Sequence, residues 1–320
     1  VPVGVVAHVA LPSGPTDRRP PCCGLTAPLA LAIRGGFGFP ALLARTSLMD
    51  IGFNVTLGNT LPMVQRFRDD GLIDCCELLI DNFLQVPPHD LAEALDCPVG
   101  FHIMFSRFIE ADRAQLRDLA SQLRPYIEQL KPRYVSDHVA CFSHQGRQLY
   151  HLAEIDYPTA YAQVREQVLF WQDQLGMPLY LENYPSILDG GHDAPAFFQQ
   201  LAEDTGARML FDASNAVCAW RNCGVPLTDW LPHIDATPHF HVGGYNVSVL
   251  EPKLILDTHD SELADDTLDY LRQWRTRFDK PGATLTYERD NNLDEASIAR
   301  DLRRLRAVFC EEPAPCALTA

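Results

Sequence analysis

From Met49 onward, short apolar runs rich in β-branched and aromatic residues recur near 50–55, 75–80, 98–103, 133–139, 178–182, 208–212, 237–242 and 283–288. Between them lie segments such as "ADRAQLRDLASQLRPYIEQL" and "YAQVREQVLFWQDQL", where apolar positions recur every three or four residues, the spacing of an amphipathic helix. The alternation predicts eight strands interleaved with helices, an α/β fold of the (β/α)8 TIM-barrel type. A doubly wound open sheet is the competing arrangement. It usually carries a glycine fingerprint after its first strand, and "NVTLGNTLPMV" has none.

The first 48 residues follow no such period. "VPVGVVAHVALPSGPTDRRPPCCGLTAPLALAIRGGFGFP" is rich in Pro, Gly and Ala, without the charged-then-apolar layout of a signal peptide. The expected organisation is a disordered segment over 1–48, a catalytic barrel over 49–310 and a frayed tail over 311–320. The first segment is read as an artefact of where translation was assumed to start, or alternatively as a genuine arm packed on the body.

Composition narrows the range of partners. The 320 residues carry a formal net charge of −16, the wrong sign for a protein that tracks a phosphate backbone. A metal ion or a cationic or neutral partner fits better, and nucleic acid is not expected. No run of 18 apolar residues exists, so no membrane span is expected. Ten cysteines are scattered without a CxxC pair, which reads as small core residues in a reducing, cytoplasmic setting.

In a TIM barrel, chemistry sits at the C-terminal ends of the strands, so those ends carry the functional reading. The second run ends "CCELLIDN", with Glu77, Asp81 and Asn82; the third gives "GFHIM", with His102; the fourth "YVSDHV", with Asp137 and His138. The fifth is "LYLENYPS", with Glu182; the sixth "LFDASN", with Asp212 and Asn215; the seventh "HFHVGGY", with His239 and His241. The eighth gives "LTYERD", with Glu288, and a preceding loop adds "DTHD", with Asp257 and His259. Imidazoles and carboxylates without thiolates suit Fe, Mn, Zn or Co. Several carboxylates in one cavity would repel and become partly protonated unless cations joined them.

Each residue also has a duller reading. A lone His102 or His138 in an apolar run is more often a satisfied core histidine; the set together argues for a multinuclear metal site. His8, His89, His144, His192 and His233 read as loop or arm histidines facing solvent, while His151 and His239 stay open. Glu77, Asp81 and Asn82 read equally as ligands or as partners that orient ligands. Arg289 and Asp290 read as a pair across the barrel mouth. The "HVGGY" glycines permit a close backbone approach or a sharp exit, and Pro185 with "DGG" at 189–191 builds a loop over the site.

So assembled, the order His, His, Glu, Asp-x-x-Asn, His, Asp-x-His, Glu resembles the metal pattern of xylose-isomerase-like barrels, and the apurinic endonuclease type uses a similar order for three metals. The runs "VSDHV", "LYLENYPSI", "LFDASNA", "HFHVGGY", "DTHDSELADDTLD" and "KPGATLTYERD" are more closely similar to the MbnB family, the iron-dependent catalytic subunits of methanobactin biosynthesis. The similarity runs from about Met49 to Phe309 and leaves the N-terminal segment uncovered.

The resemblance implies two to three iron ions, dioxygen as co-substrate, a small MbnC-like partner protein and a cysteine-containing, MbnA-like precursor peptide. It implies a four-electron oxidation that turns a cysteine and the preceding amide into an oxazolone and a neighbouring thioamide. Carried over, His102, His138 and Glu182 hold one iron; Glu182, Asp212, His241 and Glu288 a second; Asn215, Asp257 and His259 a third. Asp137, Asp260 and Tyr245 are candidates to move protons, with no choice among them. Tyr245 stands where other branches often have His, which favours the MbnB-like branch over a cysteine-carbon-excising one. The alternatives are a zinc or manganese hydrolase or isomerase on the same barrel, and a non-catalytic metal- or partner-binding barrel.

Overall fold

The computed structural model describes residues 47–56, 60–249 and 251–310, the side chains of 150, 151 and 310 excepted. The expected terminal segments thus fall outside the described residues, apart from Ser47 and Leu48. Leu48 N and Met49 N both donate to Asp279 Oδ1, at 2.7 and 2.9 Å.

In chain order the strands are β1 (Asp50–Val55), β2 (Cys75–Leu79), β3 (Val99–Ile103), β4 (Val135–His138), β5 (Cys141–His144), β6 (Arg147–Ala153), β7 (Leu179–Glu182), β8 (Arg208–Asp212), β9 (His239–Gly243), β10 (Tyr245–Val247), β11 (Ile255–Asp257) and β12 (Thr284–Glu288). The helices are α1 (Leu61–Asp69), α2 (Pro88–Leu95), α3 (Arg113–Leu130), α4 (Tyr157–Leu175), α5 (Ala194–Thr205), α6 (Ala213–Cys223), α7 (Leu231–Ala236), α8 (Asp265–Gln273), α9 (Arg275–Phe278) and α10 (Glu295–Cys310).

Among the described residues, eight strands close into a barrel in the order β1-β12-β9-β8-β7-β4-β3-β2, and each pairing is parallel. These are the eight runs expected from the hydrophobic pattern. Two antiparallel hairpins, β5–β6 and β10–β11, are additions that the pattern did not announce.

Side chains alternate across each strand, and the two faces have different partners. Phe53, Val135, Phe211, Phe240 and Leu285 are fully buried and belong to the main apolar cluster with Leu116, Val164, Trp171, Leu268 and Leu302 of the surrounding helices. Burying each such side chain contributes about 1.5–3 kcal/mol. Asp112 starts α3 with a capping box, accepting from Ala114 N and Gln115 N while Gln115 returns a bond to Asp112 N, which satisfies N–H groups the helix leaves open.

The barrel interior is polar and tightly fitted. At its lower end Tyr134, Tyr180 and Leu210 form a separate small cluster. His239 belongs to that layer: its ring lies 4.3 Å from Tyr134, and its Nδ1 meets Thr284 Oγ1 at 2.9 Å. Gly100 makes room for Tyr134, since a Cβ there would lie 2.4 Å from its ring. The lower barrel is therefore plugged, and the chemistry-bearing side chains lie above the plug.

Candidate metal centre

The upper layer is built by residues in phase on neighbouring strands. His138 is opposite Glu182 on β4 and β7, and Asp212 is opposite His241 on β8 and β9. One ligand atom each of His102, His138 and Glu182 lies within 4.8 Å of the others, and the same holds for Glu182, Asp212, His241 and Glu288. Glu182 belongs to both groups. His102 Nε2 and His138 Nε2 are 3.7 and 3.3 Å from Glu182 Oε2, whereas His241 Nδ1 is 3.9 Å from Glu182 Oε1 and 3.0 Å from Glu288 Oε2.

Asn215, Asp257 and His259 extend this layer. Asn215 Nδ2 donates to Glu182 Oε1 at 3.1 Å, and His259 Nε2 lies 2.8 Å from Asp257 Oδ1 and 3.8 Å from Glu288 Oε2. All nine expected ligands thus gather at one rim of the barrel.

The orphaned atoms decide what the cluster suits. Glu182 Oε2, Asp212 Oδ2 and Asn215 Oδ1 are buried without a hydrogen-bond partner, while His241 Nδ1 against Glu288 Oε2 and His259 Nε2 against Asp257 Oδ1 are close pairs that lack aligned hydrogen-bond geometry. Buried polar atoms are normally satisfied, and one left bare costs about 1–3 kcal/mol. A concentration of bare oxygens and imidazole nitrogens in one layer is the donor set of a divalent cation. The residues therefore fit a metal.

A second set of bonds fixes how each ligand is presented. His102 Nδ1 meets Ser136 Oγ at 2.8 Å, and Ser136 Oγ donates onward to Phe101 O, so Nδ1 is the protonated nitrogen and Nε2 faces the site. His241 Nε2 meets Glu77 Oε2 at 2.6 Å, an oxygen that also accepts from Tyr134 OH at 2.6 Å. His259 Nδ1 faces Asp290 Oδ2 at 3.2 Å, and Asn54 Nδ2 holds that carboxylate through Oδ1. Asp212 Oδ1 caps α6 by accepting from Asn215 N at 2.7 Å, leaving Oδ2 for the cluster. Asn183 pins the backbone of Asp212 by two bonds, Nδ2 to Asp212 O and Asp212 N to Oδ1.

Excess negative charge governs protonation. Burial, followed by Glu288, pushes Glu182 well above the carboxylate range, and burial with Asp257 raises Asp212 to about 7. Burial opposes ionisation of Glu288 as well, but His241 and His259 outweigh it and hold Glu288 low. Burial likewise opposes charge on His241 and His259, yet the surrounding carboxylates raise both. Burial depresses His102, helped by His138, and depresses His138 to about 4. Both imidazoles are thus neutral near pH 7, as metal ligands must be.

The structure places several of the expected residues away from the ligand layer. Asp137 is one residue out of phase with His138: it faces the helix layer, where Trp171 Nε1 and His138 N donate to it, and does not line the cavity. Tyr245 OH donates to Asp266 Oδ1, and Asp260 Oδ1 accepts from Asn246 and Thr258; neither residue lines the cavity. The three proton-moving candidates therefore do not meet the ligand cluster. Glu77 lies against His241 Nε2, the nitrogen turned away from Glu182 and Glu288. Asp81 anchors the loop after β3 through Met104 N, and Asn82 Nδ2 bonds Thr56 O. Arg289 does not pair with Asp290; its guanidinium meets Tyr287 OH and the carbonyls of Asn291 and Asn292. His233, expected in solvent, is buried on α7 against Pro195 O. His8 and the side chain of His151 lie outside what is described.

The two glycines of "HVGGY" admit a loop. A Cβ on Gly243 would lie 2.5 Å from His259 Cδ2, and one on Gly244 would lie 2.0 Å from Ser261 O. His259 itself holds a left-handed φ of 49°, with its N–H donating to Gly244 O at 2.9 Å. The glycines thus let the loop carrying His259 close onto β9.

Above the cluster is a cavity of about 600 Å³. Its floor is the ligand layer. Its walls are Met104, Phe105 and Arg107 from the loop after β3, Phe142, Leu149 and Leu152 from the β5–β6 hairpin, and Tyr184 with Pro185. The residues missed by the sequence reading, Ser136, Asn183 and Asn54, are short polar residues on barrel strands or at their ends. Only their phase with a ligand on the next strand marks them.

Solved structures with the same architecture include the 3-keto-D-glucoside 4-epimerase of E. coli, with a TM-score of 0.53 at 14% identity over 81% of this chain and 98% of that one. A xylose isomerase-like TIM barrel protein from Mycobacterium smegmatis, in complex with magnesium, has a TM-score of 0.52 at 14% identity, over 84% and 98% of the two chains. At such identity the likeness shows the fold alone. Among sequence relatives, the UPF0276 protein of Caulobacter vibrioides is 28% identical over 265 residues, 78% of this chain and 92% of the relative. That of Rhizorhabdus wittichii is 26% identical over 268 residues, covering 77% and 93%. Residues 57–309 match the family described as RiPP precursor modification enzyme MbnB/TglH/ChrH.

Proposed function

The chain belongs to the RiPP precursor modification enzymes of the MbnB/TglH/ChrH family, and from that premise we propose that it is an iron- and dioxygen-dependent oxidase of peptide cysteines. The proposed products are the oxazolone and thioamide groups of methanobactin-type chemistry. The proposed partners are an MbnC-like small protein and a cysteine-containing precursor peptide, in the cytoplasm. The observation that carries the reading is the layer of buried imidazole nitrogens and carboxylate oxygens crowded together without aligned hydrogen bonds under an open cavity. Its donors are nitrogen and oxygen, with no thiolate among them, which suits non-haem iron.

His102, His138 and Glu182 would hold one ion, with Glu182, Asp212, His241 and Glu288 holding a second and Asn215, Asp257 and His259 a third. Iron, when bound, supplies one-electron redox chemistry and a Lewis acid that ionises a cysteine thiol. The protein's own part is placement. Ser136, Glu77 and Asp290 hold three imidazoles in the tautomer and orientation a ligand needs. The apolar walls keep water from the reacting thiol, and the cavity admits a few residues of an extended peptide.

Of the lining carboxylates outside the ligand set, Glu77 is buried and engaged by His241 and Tyr134, so proton movement falls to groups at the rim. Asp290, half-buried at the rim and held by Asn54, is the best-placed carboxylate outside the ligand set.

The test combines metal analysis with turnover. The full chain, reconstituted anaerobically with ferrous iron and supplied with its neighbouring precursor peptide and small protein, should consume dioxygen and lower the peptide mass by oxidation. Zinc at full occupancy with no oxygen consumption would favour the hydrolase reading.

A further inference from the structure

We propose that Arg107 reads a carboxylate on the peptide, so that the substrate presents an anionic group close to its reacting cysteine. The proposal deepens the peptide-modifying reading and rests on it. Among the described residues, Arg107 is the only Lys or Arg that lines the cavity, whose floor carries Glu77, Glu182, Asp257, Glu288 and Asp290.

Arg107 is held in place before any ligand arrives. It adopts a left-handed φ of 53°, a conformation that a non-glycine residue takes up only when its surroundings fix it. Its Nη2 donates to Glu110 Oε2 at 3.1 Å, and the guanidinium carbon lies 5.7 Å from the Phe142 ring centre. Glu110 is itself anchored, its Oε1 accepting from Ser143 N and Ser143 Oγ at 3.0 Å each. The loop after β3 and the β5–β6 hairpin are thus clamped together around this one cation.

A guanidinium has five N–H donors in a rigid fork. Glu110 Oε2 is the one acceptor described for Arg107, and the side chain is 35% exposed. Donors are therefore left for a planar two-oxygen acceptor, the geometry Arg matches best. With metal ions joining the carboxylates of the floor, Arg107 is the preorganised cation on the wall that offers such a group a bidentate seat. A carboxylate of an Asp or Glu side chain and one at the peptide terminus share this chemistry.

Four acetylated pentapeptides with a central cysteine separate the sources: Asp or Asn beside the cysteine, each with a free or amidated terminus. Binding to the full chain loaded with redox-inert zinc is measured by calorimetry. At least one carboxylate-bearing peptide should bind about tenfold more tightly than the neutral one, and the responding arm identifies the source. Arg107→Gln should flatten that preference, and Arg107→Lys should keep part of it as a point charge. Should Arg107→Gln lose its fold, as read by thermal melting, Arg107→Lys and the wild-type peptide series decide.

Equal affinity for all four peptides, no binding of any, or uniform weakening by Arg107→Gln would overturn the proposal and leave Arg107 as a brace between loop and hairpin. Failure of the iron-loaded enzyme to oxidise any peptide, with the charge preference intact, would sink the oxidase reading and spare this one.

Discussion

His241 and Glu77 meet inside the barrel at 2.6 Å, imidazole Nε2 against carboxylate Oε2, with neither side chain open to solvent. The bond leaves His241 Nδ1 facing Glu288 and Glu182, so a carboxylate on β2 decides which nitrogen of a β9 histidine enters the ligand layer. Replacing Glu77 by Gln keeps the shape and removes the charge that holds this tautomer. Metal affinity should fall about 10–100-fold with little change in melting temperature. A competition titration against a chelator reads it, and unchanged affinity would remove Glu77 from the orienting role.

Glu182 lies in both ligand groups. Glu182→Gln should therefore cost the reconstituted protein more than one metal ion per chain by elemental analysis. Loss of a single ion, or of none, would count against a bridging carboxylate.

Gly243 and His259 give a paired test of the third ligand group. His259→Ala should spare the first two ions and deplete the third. Gly243→Ala puts a methyl 2.5 Å from the His259 ring and should reproduce that depletion without replacing any ligand. Uniform loss of all ions in either variant would contradict the division into groups.

Metal uptake should release protons near pH 6. Asp212 titrates at about 7 because burial and Asp257 raise it, and Glu182 is raised by burial and Glu288. Below those values both carboxyls carry protons, so a cation must displace them, and affinity should climb as pH rises through about 7. His102 and His138, both depressed, stay neutral across that window and add nothing, whereas His241 and His259, raised by the surrounding carboxylates, carry protons whose displacement adds to the release. Calorimetry in two buffers of different ionisation enthalpy counts the protons; zero release at pH 6 would be the contrary result.

Much of this site was legible because barrel chemistry collects where strands end. His102, His138, Glu182, Asp212, His241 and Glu288 each stand at or near the close of a run whose apolar pattern marks it as a strand, and the closed barrel brings the ends together. The phase within a run was not legible. In "VSDHV", Asp137 and His138 are adjacent, and only the pairing of His138 with Glu182 shows that one faces the cavity and the other faces Trp171. The surroundings of Tyr245 and Asp260 were illegible for another reason. Tyr245 opens β10 and Asp260 follows β11, and the three-residue strands of this hairpin are too short to register as a pattern.

The β5–β6 hairpin interrupts the strand-to-helix rhythm between β4 and α4, and it supplies Phe142, Leu149 and Leu152 to the cavity wall. Floor and wall are thus encoded in separate stretches of chain, one constrained by barrel geometry and the other a surface excursion free to lengthen, shorten or change its side chains. Such a division would let descendants acquire new clients by rewriting the hairpin alone, the imidazoles and carboxylates beneath being inherited untouched.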